Sequence, residues 1–119
     1  MSGTEQLNIA TFDSSSGARI LTVRGPLTLQ TLFEFQDAVR QEKTKPIVLD
    51  LAGVAYMDSA GLGSVIGSYT SCQRTDRGFA IAGASTRIRT LFQVAHVDTF
   101  LPCYDTLEAA ENSLRSSAG

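Results

Sequence analysis

Two short runs rich in strand formers open the chain, Leu7-Asn-Ile-Ala-Thr-Phe12 and Arg19-Ile-Leu-Thr-Val-Arg24, with turn composition, Asp13-Ser-Ser-Ser-Gly-Ala18, between them. They predict an antiparallel hairpin. Gly25-Pro26 ends it, because proline cannot donate to a sheet ladder, and Thr28 then stands ready to cap a helix. From Leu29 the apolar positions Leu32, Phe35 and Val39, with Phe33 and Ala38 beside them, fall at helical spacing until Lys43-Thr-Lys-Pro46 breaks the pattern. Ile47-Val-Leu-Asp-Leu51 is mostly continuous apolar sequence, which predicts a central parallel strand covered on both faces.

A second helical stripe follows Asp58-Ser59, made of Leu62, Val65, Ile66, Tyr69 and Cys72. It holds glycines at 61, 63 and 67, each costing about 1 kcal/mol against alanine in a helix interior. Such a cost predicts that a neighbour comes close to this helix. Thr75-Asp-Arg-Gly78 reads as a turn and Phe79-Ala-Ile-Ala82 as a short strand. Ser85 reads as the cap of a third helix with Ile88, Leu91, Phe92 and Ala95 on one face. A last strand near 99–104 carries Pro102, a sign of a sheet edge. Asp105 is the expected cap of a fourth helix from Thr106 to about Arg115, with Leu107, Ala110 and Leu114 inward. The small polar ends, 1–6 and 115–119, are expected to fray. The class is α/β: a mixed sheet with an N-terminal antiparallel hairpin, then parallel strands, and four helices packed on it.

Composition narrows the function more than the fold. The 119 residues suit one domain, 1–119, with an ordered core at about 7–114. Ten Lys and Arg against twelve Asp and Glu give a net charge of −2, so no cationic excess exists to hold nucleic acid or an anionic membrane. Cys72 and Cys103 are far apart, with no second cysteine or histidine at metal-ligand spacing, and read as free thiols of a reducing cytosol. The start, Ser-Gly-Thr-Glu-Gln after Met1, has no leader pattern, and no segment has the apolar length of a membrane span. A cytoplasmic protein is expected, without metal or cofactor.

The candidate chemistry sits at Asp58 and Ser59, where the apolar strand gives way to the second helix. Both are favoured N-cap types, and the dipole of the helix favours negative charge there. Ser59 is therefore expected at an exposed helix N-terminus. Three catalytic or ligand readings fail on spacing. A hydrolase elbow, Gly-x-Ser-x-Gly, would need glycine where Met57 stands. A Ser-x-x-Lys nucleophile would need lysine where Leu62 stands. A phosphate loop would need Gly-Lys-Ser/Thr, but Gly61-Leu-Gly63 is followed by Ser64 and Val65.

Asp58-Ser59-Ala60-Gly61-Leu62-Gly63, after Ile47-Val-Leu-Asp-Leu51 and before Val65-Ile66, resembles the STAS domain of bacterial anti-sigma factor antagonists. Residues from roughly Leu7 to Leu114 follow that family's order of strands and helices. The resemblance implies that Ser59 is phosphorylated by a partner serine kinase and that Asp58 is the acidic residue of the motif. It also implies that Asp58, Ser59, Ala60, Gly61, Leu62, Gly63 and Thr28 meet the partner. The unmodified domain would bind an anti-sigma factor that is also its kinase and so free a sigma factor. A serine phosphatase would reset the switch. The domain itself would be a binding module and no enzyme.

One departure stands out: many relatives carry Gly-Glu-Leu-Asp after the second strand, and this chain has Gly25-Pro26-Leu27-Thr28. That difference supports an alternative, a scaffold module of a stress-sensing assembly or lipid-transport complex in which Ser59 stays unmodified. Thr28 itself could accept a phosphate or simply cap a helix. A serine-dependent enzyme ranks lowest, because the single histidine, His96, falls in the loop after the third helix and no base is placed by the pattern. Phe33, Phe35, Phe79 and Phe92 read as core, and Arg87 and Arg89 as a solvated helix face.

Overall fold

The computed structural model describes residues 6–118. The fraying expected at 1–5 and at 119 lies outside the described residues. Strands β1 (Asn8–Asp13) and β2 (Arg19–Arg24) form the hairpin, joined through Gly17 in the left-handed region. Helix α1 (Leu32–Gln41) leads to β3 (Ile47–Gly53), α2 (Ser59–Arg74) to β4 (Phe79–Ala82), and α3 (Thr86–Val94) to β5 (Cys103–Tyr104). Helix α4 (Leu107–Ala118) follows, running past the end expected near Arg115. The sheet order is β1-β2-β3-β4-β5, with β1 antiparallel to β2 and every later pair parallel.

This topology decides where the helices go. Each of the three crossovers steps in the same direction along the sheet, so right-handed connections place α1, α2 and α3 on one face. There Phe35 and Val39 of α1, Leu62, Val65 and Cys72 of α2, and Ile88 and Phe92 of α3 cover Leu21, Leu49, Leu51 and Ile81. On the other face Ala110 and Leu114 of α4 cover Ile20, Val48, Ala80 and Ala82. The expected central position of β3 holds: Ile47, Val48, Leu49 and Leu51 are all buried. Parallel pairing also sets the loops after β2, β3, β4 and β5 along one edge of the sheet, the edge at which ligands and partners of open α/β sheets meet the protein.

Several local expectations are corrected. Helix α1 begins at Leu32, not near Leu29, because 26–31 is taken by a turn: the Thr28 N–H donates to Thr31 Oγ1 (2.9 Å), whose hydroxyl donates to the Pro26 carbonyl (2.8 Å). Thr28 is thus no cap; Thr31 holds the N-cap position without a side-chain capping bond. Phe33 is 69% exposed, since it lies about a third of a turn off the Leu32-Phe35-Val39 stripe. Ala95 is exposed as well, being the residue on which α3 ends.

The last strand is only two residues long. The Pro102 carbonyl accepts from Ile81 N–H (2.9 Å), but its ring nitrogen has no proton to give, and the ladder starts at Cys103. Thr106, not Asp105, caps α4, its Oγ1 accepting from Ala109 N–H (3.0 Å), while the Asp105 carboxylate is drawn to Arg89 (2.7 Å). Ser85 caps α3 as expected, accepting from Ile88 N–H (3.3 Å). Both cysteines are free, and burial pushes their thiols above the ordinary range.

Candidate functional site

Two loops at the C-terminal edge of the sheet build the site. Gly25, at φ +104°, turns the chain out of β2; a Cβ there would stand 2.4 Å from the Gln6 carbonyl oxygen, so the turn needs glycine on both counts. The following segment then runs beside the loop after β3. Leu27 N–H donates to the Tyr56 carbonyl (3.0 Å), and Asp58 N–H donates back to the Leu27 carbonyl (3.3 Å). Buried Leu27 and Met57 pair as an isolated parallel bridge.

Asp58 joins both loops to the helix. Its Oδ1 accepts from Gly61 N–H (2.8 Å), which caps α2, and its Oδ2 accepts from Leu29 N–H (3.1 Å). Of the two candidate caps the aspartate holds the N-cap position. Ser59 is therefore the first residue of α2, exposed, and its hydroxyl has no hydrogen bond among the described residues. This is the exposed helix start expected from the motif.

The motif does not present itself as one continuous surface. Asp58 and Ala60 are half-buried and Gly63 is exposed, but Gly61 is buried against the Leu27 carbonyl and Leu62 points into the core. Thr28 is buried too, its hydroxyl donating to Gln30 Oε1 (3.1 Å). Of the seven residues expected to meet a partner, Asp58, Ser59, Ala60 and Gly63 reach the surface, and Gly61, Leu62 and Thr28 are buried beneath them.

The glycines also divide. A Cβ on Gly61 would lie 2.0 Å from the Leu27 carbonyl oxygen, whereas one on Gly63 or Gly67 would meet nothing within 4 Å. Close approach thus explains only the first of the three. Gly63 and Gly67 instead line an open cavity of about 500 Å³ between α1 and α2.

Periodicity did not reveal which apolar side chains are left exposed near this edge. Leu29 (60% exposed), whose amide donates to Asp58, and Tyr56 (51%), which lines one apolar depression with Val94 (72%), are left exposed at this edge. A phosphoryl group on Ser59 would meet the positive end of α2, worth about 0.3 to 1 kcal/mol, with the Asp58 carboxylate opposing it from the adjacent residue. The two effects offset, and the fold has no reason to change. A surface docked over Ser59 would instead face a dianion it cannot hydrate.

Among the described residues no group of three or more His, Cys, Asp or Glu could hold a metal ion, and no helix is long and apolar enough to cross a membrane. His96 lies in the turn after α3 with φ +62°.

Comparison with known proteins agrees with this architecture. The family model described as STAS domain matches residues 10–110. An anti-sigma-B factor antagonist of Staphylococcus epidermidis is 37% identical over 75 residues, which cover 60% of this chain and 69% of that protein. A protein of the same description from Staphylococcus aureus (strain NCTC 8325 / PS 47) is 36% identical over the same shares. Among solved structures, an anti-sigma factor antagonist from Mycobacterium paratuberculosis has a TM-score of 0.82 at 22% identity, covering 92% of this chain and 95% of that one. The anti-sigma factor antagonist SpoIIAA in its unphosphorylated form has a TM-score of 0.68 at 17% identity, covering 94% and 99%. At those identities the structural likeness speaks for the fold alone.

Proposed function

The chain belongs to the STAS domain family, and on that premise we propose that it is a cytoplasmic anti-sigma factor antagonist switched by phosphorylation of Ser59. Its unphosphorylated form binds an anti-sigma factor that is also a serine kinase, and so frees a sigma factor; a serine phosphatase restores the binding form. The chain is the substrate of that kinase and is not itself an enzyme. The relatives named anti-sigma-B factor antagonist support the partner class. The observation that carries the switch is the exposed Ser59 hydroxyl on the first residue of α2, the helix start that Asp58 caps.

The mechanism is one of exclusion. Docking removes water from the serine, and roughly −1.5 to −2 charges at Ser59 then lose the solvent that hydrates them. Binding to the anti-sigma factor encoded nearest this chain's gene tests the reading. Ser59→Ala should bind whether or not ATP is present, and Ser59→Asp should lose binding. Equal affinities for wild type and both variants would refute the switch.

A scaffold role, with Ser59 unmodified, is favoured by one feature, the absence of both acids from Gly25-Pro26-Leu27-Thr28. Intact mass of the chain isolated from cells separates the two readings: a phosphorylated fraction supports the switch, and its absence under every growth condition supports the scaffold.

A further inference from the structure

The cavity of about 500 Å³ between α1 and α2 has two chemically different ends. Toward the start of α2 it is lined by Gly63 and Gly67, and the buried Ser64 and Ser68 beside them donate their hydroxyls to the carbonyls of Gly61 (2.7 Å) and Ser64 (2.9 Å). Toward the end of α2 it is lined by Arg77, half-buried and fixed in place: Nε donates to Thr75 Oγ1 (2.7 Å), and Nη1 donates to the carbonyls of Glu42 (3.0 Å) and Lys45 (3.3 Å). Arg77 Nη2, the Lys43 ammonium and the Ser71 hydroxyl also belong to this end, and none of them has a hydrogen bond or ion pair among the described residues. The carboxylate of the lining, Glu42, is taken up by Arg19 (3.3 Å) and by the amides of Thr44 (3.0 Å) and Lys45 (2.8 Å), while Arg40 pairs with Asp37 (2.6 Å). A chain of net charge −2 thus gathers three cations around one cavity, against one carboxylate already neutralised.

We propose that this cavity binds a small phosphate monoester, its phosphate held by Arg77 Nη2, Lys43 and Ser71 and its uncharged body lying along Gly63 and Gly67. Free donors on three side chains, two of them cationic, match the charge and the three terminal oxygens of a phosphate monoester better than the two oxygens of a carboxylate. A guanidinium already held by three hydrogen bonds loses little freedom on pairing, which favours binding. The glycines fit the same occupant. Each costs stability in a helix interior, yet a Cβ on either would meet nothing within 4 Å, so no neighbour in the fold requires them. What a side chain at 63 or 67 would take up is the cavity itself. The site calls for neither the kinase nor the anti-sigma factor, so it stands apart from the switch at Ser59.

The test is calorimetric titration of the chain with phenyl phosphate, inorganic phosphate and benzoate, with amide shifts followed by NMR. Phenyl phosphate should saturate and bind at least about tenfold tighter than either of the others, moving the amides of Gly63, Gly67 and Arg77. Arg77→Gln should weaken it by about tenfold or more and Lys43→Gln by about threefold, while Arg87→Gln, on α3 and outside the cavity, stays within about twofold. Arg77→Gln also removes bonds to two carbonyls, so Gly67→Leu serves as the variant that keeps the fold: its urea midpoint should hold or rise while phenyl phosphate binding is lost. Absence of saturation up to about 10 mM would overturn the proposal. So would phenyl phosphate binding no tighter than inorganic phosphate, which is unspecific attraction to cations, or binding that survives both Gly67→Leu and Lys43→Gln, which places the anion elsewhere.

Discussion

Gly61→Ala, Gly63→Ala and Gly67→Ala are the same substitution in the same helix, and the structure gives them opposite signs. At Gly61 the new methyl would stand 2.0 Å from the Leu27 carbonyl oxygen and 2.8 Å from its carbon, where real Cβ atoms do not come closer than 3.0 Å. Backbone must move by at least 1.0 Å to admit it. The atom that moves is the acceptor of the Asp58 N–H bond, and the same residue donates to Tyr56. Overpacking costs about 1 to 3 kcal/mol and a weakened hydrogen bond about 1 kcal/mol, against a helix-propensity gain of about 1 kcal/mol.

The balance is a loss of about 2 kcal/mol for Gly61→Ala and a gain of up to about 1 kcal/mol for each of the others, where nothing lies within 4 Å. Urea unfolding monitored by circular dichroism reads this directly. With a slope of about 1 to 3 kcal/mol/M, the midpoint of Gly61→Ala should fall by about 1 M while those of Gly63→Ala and Gly67→Ala hold or rise. A Gly61→Ala midpoint at or above wild type would refute the claim that the loop after β2 is locked against the start of α2.

Further outcomes follow from the same contacts. Phe35→Ala should cost about 3 to 5 kcal/mol, whereas exposed Phe33→Ala should stay within about 0.5 kcal/mol of wild type in the same assay. Asp58→Ala, which removes the acceptor of both Gly61 and Leu29 N–H, should cost about 1 to 2 kcal/mol and raise amide exchange at those two positions. Burial pushes the Glu42 carboxyl up, but the amides of Lys45 and Thr44 and the Arg19 guanidinium outweigh it and hold it below its ordinary value of 4.5. A lowered folded pKa stabilises above the ordinary value and is lost as pH falls through the folded one, so wild type should weaken as pH drops below about 4.5. Glu42→Gln should show a shallower acid limb; an unchanged limb would remove Glu42 from the account.

Where a local pattern had no competitor, it was legible in the chain. The continuous apolar run at Ile47–Leu51 marked the central strand, and Ser85 marked a helix start as a capping type placed three residues before Ile88 of the apolar stripe. The helix start at Asp58-Ser59 was legible because two capping types stand where the apolar strand gives way to a helical stripe, though not which of the two would cap. Misreadings arose where a side chain had two possible partners. Thr28 looked like a cap until Thr31 took its amide, and Asp105 looked like one until Arg89, distant in sequence, claimed its carboxylate. Gly61, Gly63 and Gly67 are indistinguishable in sequence, because what separates them is a carbonyl from the loop after β2. The exposure of Phe33 was hidden as well: it passed for core beside Leu32, Phe35 and Val39 but lies off the face that α1 buries, and Val94 lay outside every stripe.

The central claim is that one exposed hydroxyl at the start of α2 controls docking. Its most direct measurement is to incubate the chain with the anti-sigma kinase and ATP, locate the phosphate by peptide mass, and titrate the purified singly phosphorylated form against the same partner. The account predicts one phosphate, on Ser59, and loss of binding with the circular dichroism spectrum unchanged. A phosphate carried elsewhere, or a phosphorylated Ser59 form that binds as tightly as the unmodified chain, would contradict it.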